Sequence, residues 1–110
     1  MEITIAPFQC LPAAEAVALI RGEAGVSVFD VRDLASYQRG HIEGAAHLAE
    51  DRFFGWARRL DKTRPVVIYC YHGNASKTYA QMFVDFRFAR VFSVDGGYPA
   101  LEMALAAATA

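Results

Sequence analysis

Cys70-Tyr71-His72-Gly73-Asn74-Ala75-Ser76 is the stretch of this chain with the residue types for covalent chemistry. A thiol reacts as its thiolate, and a thiolate forms where the surroundings favour negative charge. Just upstream, Pro65-Val66-Val67-Ile68-Tyr69 is apolar and β-branched, the signature of a buried strand. Downstream, Tyr79, Met82, Phe83 and Phe86 recur at i, i+3, i+4 and i+7, which predicts one apolar face of a helix from Lys77 to Phe86. The cysteine therefore stands at the exit of a strand, in a tight polar loop that opens a helix. Ligands of open α/β sheets bind beyond the carboxyl ends of the strands. The amides of such a loop and helix start favour an anion, and Gly73 lets the backbone turn so that they converge. A cysteine held there should ionise below the free-thiol value of about 8.5. Alone, a strand-end cysteine is more often a buried core residue; in this setting Cys70 reads as a nucleophile.

The bulk properties narrow the alternatives. A chain of 110 residues makes one domain, 1–110, long enough to bury a core. The formal charge of −1 gives no bulk attraction to nucleic acid or to a membrane surface. No apolar run approaches the ~20 residues of a membrane helix. Met1-Glu2-Ile3-Thr4 lacks the basic and apolar regions of a signal peptide, so a cytoplasmic location is expected. Cys10 and Cys70 with three scattered histidines have no metal-ligand spacing, so no metal is expected. A structural disulfide is not expected either. Cys10 reads as a small buried hydrophobe.

The remaining elements must position the loop. Ile3 to Cys10 is apolar and partly extended, with an edge strand around Phe8 to Cys10. Pro12 suits the first turn of a helix whose inward face is Ala13, Ala16, Val17 and Ile20, ending near Gly22 and Gly25. Val26 to Val31 is a second strand that delivers Asp30 and Arg32 to its carboxyl end. Asp33 starts a short helix, Leu34 to Arg39, which Gly40 closes as a left-handed stop. His41 to Leu48 turns into a short strand. Glu50 or Asp51 begins a helix with Phe53, Trp56, Ala57 and Leu60 inward and Arg58 and Arg59 outward. The loop helix should end near Arg87, where no glycine is available, so strain or a different cap is expected. Val91 to Val94 is the last strand, Asp95-Gly96-Gly97 a turn, and Tyr98 to Ala108 the final helix. Strands alternating with helices argue for a parallel sheet covered on both faces.

Taken together, Asp30-Val31-Arg32, Tyr37, Gly40-His41-Ile42-Glu43-Gly44-Ala45, the Cys70 loop and Asp95-Gly96-Gly97-Tyr98 resemble a rhodanese domain over about residues 8–105. Cys-Tyr-His-Gly-Asn-x-Ser-Lys resembles the loop of the short, single-domain thiosulfate sulfurtransferases of the GlpE type. The resemblance implies a five-stranded parallel sheet flanked by helices, and a persulfide-forming cysteine in a six-residue loop, here Cys70 to Ala75. It also implies the reaction. Cys70 takes the sulfane sulfur of thiosulfate, sulfite leaves, and cyanide or a thiol removes the sulfur; glutathione and thioredoxin are candidate acceptors. No cofactor is implied, and a monomer is the simplest expectation.

The chain departs from the family where many members carry a basic side chain, one or five positions after the cysteine. Tyr71 and Ala75 stand there. Positive potential must then come from amides, the helix dipole, Lys77 and His72. Lys77 either faces the substrate or is a solvated surface lysine. His72 either hydrogen-bonds the substrate or is a solvated loop histidine. Asn74 and Ser76 either donate to the persulfide or serve the turn and the helix N-cap, with the capping role favoured for Ser76. Asp30 and Arg32 are expected to brace the loop as a charge pair. A phosphatase of the Cys-x5-Arg type is disfavoured because Ser76 stands where the arginine fork would clamp phosphate. A persulfide carrier loaded by a partner enzyme is the alternative function.

Overall fold

The structure is a computed structural model that describes residues 7–109. The expected extended run from Ile3 to Ala6, and the Met1 to Thr4 start, lie outside the described residues. Five strands alternate with five helices: β1 (Gln9–Leu11), α1 (Ala13–Gly22), β2 (Ser27–Asp30), α2 (Leu34–Arg39), β3 (Ala46–His47), α3 (Phe53–Arg59), β4 (Val66–Tyr69), α4 (Ala75–Asp85), β5 (Val91–Val94) and α5 (Gly97–Thr109). A 3-10 turn at Glu50–Arg52 leads into α3. The strands form one sheet in the order β1-β5-β4-β2-β3. Every pairing is parallel.

A parallel sheet must be covered on both faces, and β4 shows how the sequence achieves it. Val66 and Ile68 join Phe29, Phe53, Phe83 and Phe88 beneath α3 and α4. Val67 and Tyr69 alternate to the other face and meet Ala16 and Val17 of α1 and Leu101 of α5. The pleat thus sends successive side chains of one apolar strand into two separate clusters. Pairing of Ile68 with Ser93, and of Asp30 with Tyr69, brings the carboxyl ends of β2, β4 and β5 together at one edge. No helix among the described residues is long and apolar enough to cross a membrane.

Four local expectations change. Gly40 is extended at φ 171°, not left-handed, and its carbonyl turns to Arg32. Cys10 is exposed on the edge strand, not buried. Pro12 occupies the N-cap position of α1 rather than its first turn. The buried face of α4 is Ser76, Ala80, Phe83 and Val84. Tyr79 and Met82 pack only against the margin of the core, and Phe86 is exposed. Ser76 and Ala80 are small enough for close approach to the sheet, and Phe83 and Val84 fill the core beneath the helix.

Candidate active site at the end of the central strand

Cys70 follows β4 directly, and its side chain is almost fully buried. The Gly73 amide donates to Cys70 Sγ at 3.1 Å. Ser76 Oγ lies 3.3 Å from Sγ. Ser93 Oγ, from the neighbouring strand β5, lies 2.7 Å behind Ser76 Oγ. Neither serine is exposed at all. As a thiol, Cys70 donates to Ser76. As a thiolate it can only accept, so the Ser76 hydroxyl turns to donate and takes a hydrogen from Ser93 in exchange. Such a chain of hydroxyls polarises cooperatively in a low dielectric. Burial pushes the Cys70 pKa up, but the Ser76 hydroxyl and the amides of Ser76, Gly73 and His72 outweigh it, leaving the thiol below its ordinary range.

The loop needs glycine at two places. Gly73 has φ 103°, which brings its amide round to Sγ. Gly97 opens α5 at φ 66°, and a Cβ there would lie 2.3 Å from the Tyr71 carbonyl oxygen. This contact seats the loop: the Tyr98 amide donates to the Cys70 carbonyl at 2.8 Å.

Cys70, Tyr71, His72, Asn74 and Ala75 line a cavity of about 200 Å³. His72 is exposed at its rim. Asn74 holds the N-cap position of α4 without a side-chain capping bond. Ser76 lies inside the helix and caps nothing, because its hydroxyl is used between Cys70 and Ser93. Lys77 is exposed and is not among the cavity's lining residues.

Asp30 and Arg32 lie beside the loop. Arg32 Nη2 donates to Asp30 Oδ2 at 2.8 Å and to the Gly40 carbonyl at 2.6 Å, while its Nε reaches both carboxylate oxygens. Burial works against the guanidinium charge, and Asp30 more than restores it. The Arg32 guanidinium carbon lies 3.9 Å from the centre of the Tyr98 ring. Among the described residues, no three His, Cys, Asp or Glu side chains converge as a metal site.

Two parts of the site escaped the sequence reading. Ser93 is a lone hydroxyl in an otherwise apolar strand; that oddity was visible, but its partner was not. Tyr71 is the other. Its hydroxyl donates to Asp33 and lies 2.9 Å from Ser36 Oγ, which ties the loop to the start of α2. No local pattern links positions so far apart in the chain.

The chain is a parallel α/β domain that holds a cysteine in an amide-lined loop at the end of its central strand. The rhodanese-like domain family model matches residues 12–104, and the chain belongs to that family. It is similar to the thiosulfate sulfurtransferase GlpE of Pseudomonas fluorescens, with 40% identity over 83% of this chain and 82% of the relative. The corresponding protein of Pseudomonas putida is 38% identical over the same shares. Among solved structures, the rhodanese-like domain of the Anabaena Alr3790 protein superposes with a TM-score of 0.75 at 25% identity, covering 84% of this chain and 72% of that one. A Rhodopseudomonas palustris protein described as a possible tyrosine phosphatase superposes with a TM-score of 0.71 at 26% identity, covering 88% and 81%.

Proposed function

We propose that this chain is a thiosulfate sulfurtransferase with Cys70 as the sulfur-carrying nucleophile. The observation that carries the reading is the Cys70 Sγ atom: buried, held by the Gly73 amide at 3.1 Å and the Ser76 hydroxyl at 3.3 Å, and opening into a cavity lined by its own loop. The activity named for the Pseudomonas relatives supports it.

Cys70 thiolate attacks the sulfane sulfur of thiosulfate. A bond forms from Sγ to that sulfur, the sulfur–sulfur bond of thiosulfate breaks, and the electron pair leaves with sulfite. The amides that lower the Cys70 pKa also face the negative charge of donor and persulfide. Cyanide then attacks the outer sulfur and departs as thiocyanate, or a thiol takes the sulfur, and the thiolate returns. Tyr71, Asn74 and Ala75 line the cavity that would take the substrate, and His72 stands at its rim. Lys77 is exposed and lies outside it. Phosphate-ester hydrolysis is disfavoured, because Ser76 offers one hydroxyl where a bidentate fork is needed.

The test is the intact mass of fully reduced protein after incubation with thiosulfate. The wild type should gain one sulfur atom that cyanide removes, and Cys70→Ser should gain none. No gain in the wild type would overturn the proposal in favour of loading by a partner enzyme.

A further inference from the structure

Cations and exposed aromatic rings meet at the end of the sheet opposite Cys70. Arg58 to Arg64 carries four cations and one acid, and Asp85 to Arg90 carries two cations and one acid. These segments lead into β4 and β5, so they lie at the amino ends of those strands. The Ala89 amide donates to the Lys62 carbonyl at 2.9 Å, which holds the two segments side by side. The net charge of −1 conceals this local excess. Arg90 pairs with Glu23 at 2.6 Å. Arg59 lies over Trp56 and Lys62 over Phe88, each 4.8 Å from the ring centre. Arg58 and Arg87 are exposed and make no ion pair among the described residues. Phe54 and Phe86 adjoin them: Arg58 follows Phe54 by one turn of α3, and Arg87 follows Phe86 directly. The two rings are 53% and 36% exposed, with centres 5.5 Å apart. Arg87 also holds a left-handed φ of 69° that glycine adopts freely, and no ion pair among the described residues offsets that strain.

We infer that this face docks an acidic protein segment that carries an apolar side chain. The apolar side chain covers Phe54 and Phe86, and carboxylates beside it meet Arg58 and Arg87. Arginine suits the role, because its planar fork binds a carboxylate through two hydrogen bonds. Arginine with aromatic residues is also the composition enriched in protein interfaces. The two rings meet edge to face at 61°, so they offer no parallel platform for stacking nucleic-acid bases. Phe86 is more covered than exposed, which leaves little apolar surface to bury in a membrane. Helix α4, 11 residues and so about 16 Å long, separates this face from the Cys70 loop. A partner bound here leaves the Cys70 cavity open. It anchors the protein and is not the sulfur acceptor.

The experiment measures fluorescence anisotropy of two labelled peptides at about 150 mM salt, one of glutamates flanking two leucines and one of glutamates alone. Wild type should bind the leucine peptide about fivefold more tightly, and Phe54→Ala should erase that difference. Arg58→Gln combined with Arg87→Gly should weaken both peptides about tenfold. Glycine relieves the left-handed position, so that loss does not come from unfolding. Persulfide formation at Cys70, read by intact mass, should stay at the wild-type level in the double variant. Arg21→Gln, a charge change on α1 across the sheet, should bind both peptides within twofold of wild type. No binding by wild type, unchanged binding by the double variant, or a leucine preference that survives Phe54→Ala would overturn the proposal. So would tighter binding of single-stranded RNA or of phosphatidylserine vesicles than of the leucine peptide.

Discussion

The Cys70 thiolate is stabilised by hydrogen bonds and not by a neighbouring cation. Burial opposes ionisation, while the Ser76 hydroxyl and three backbone amides favour it and prevail. The thiolate is the reacting form, so alkylation should rise with pH through a midpoint below about 8.5. The same preference links to stability. Ionisation favours the fold above the unfolded thiol's pKa, and that contribution is lost as pH falls through the depressed native value. Ser93 acts one atom further back, as a positioning residue for Ser76. Ser93→Ala removes one hydrogen bond of the relay, and should raise the midpoint by about half a unit to one unit. The check is the pH profile of iodoacetamide alkylation, in a Cys10→Ser background because Cys10 is exposed. A profile unmoved by Ser93→Ala would reduce Ser93 to a packing role.

Helix α4 bears the first turn of the site and ends in a feature of its own. The Arg87 amide donates to the Val84 carbonyl at 2.8 Å, and the Phe88 amide to Phe83 at 3.1 Å. That pair of bonds is the Schellman closure, whose left-handed position usually falls to glycine. Arg87 occupies it at φ 69°. The accompanying apolar contact is present too, with Phe83 and Phe88 ring centres 5.0 Å apart. A left-handed non-glycine residue costs about 1–2 kcal/mol, of which glycine's greater freedom in the unfolded chain returns part. Arg87→Gly should therefore stabilise the protein by about 0.5–1 kcal/mol, read as a higher midpoint in urea unfolding at unchanged slope. A lower midpoint would mean that the Arg87 side chain contributes more than its backbone strain costs.

Across the whole molecule, the Asp30–Arg32 pair joins the pieces that surround the loop. Asp30 ends β2, Arg32 reaches the Gly40 carbonyl beyond α2, and its guanidinium lies against Tyr98 of α5. Both side chains are nearly inaccessible, at 0% and 6%. Breaking such a pair leaves a buried charge without its partner, which costs more than the pair itself contributes. Asp30→Asn should destabilise by about 3 kcal/mol, and Arg32→Met added to it should recover part of that loss. Urea unfolding of the two variants decides this; a double variant less stable than the single one would show that the bonds to Gly40 and Tyr98 matter more than charge balance.

Much of this architecture follows from local pattern. Apolar β-branched runs separated by helical periodicity require a parallel sheet with both faces covered, and the strand–loop–helix order alone places Cys70 at the carboxyl edge. The missing glycine after α4 predicted strain or a different cap there, and the structure supplies a left-handed Arg87. What local pattern could not contain is contact between distant segments. The turn of α4 that buries Ser76 also denies it the capping role, and only the register of β5 against β4 brings Ser93 behind it. Gly40 lost its expected left-handed turn because its carbonyl is held by Arg32, eight residues earlier. The chain's own residue types determined a thiolate at a strand end; the packing of β5, α2 and α5 decided which hydroxyls, guanidinium groups and tyrosines surround it, because those neighbours are set by tertiary distance and not by spacing along the chain.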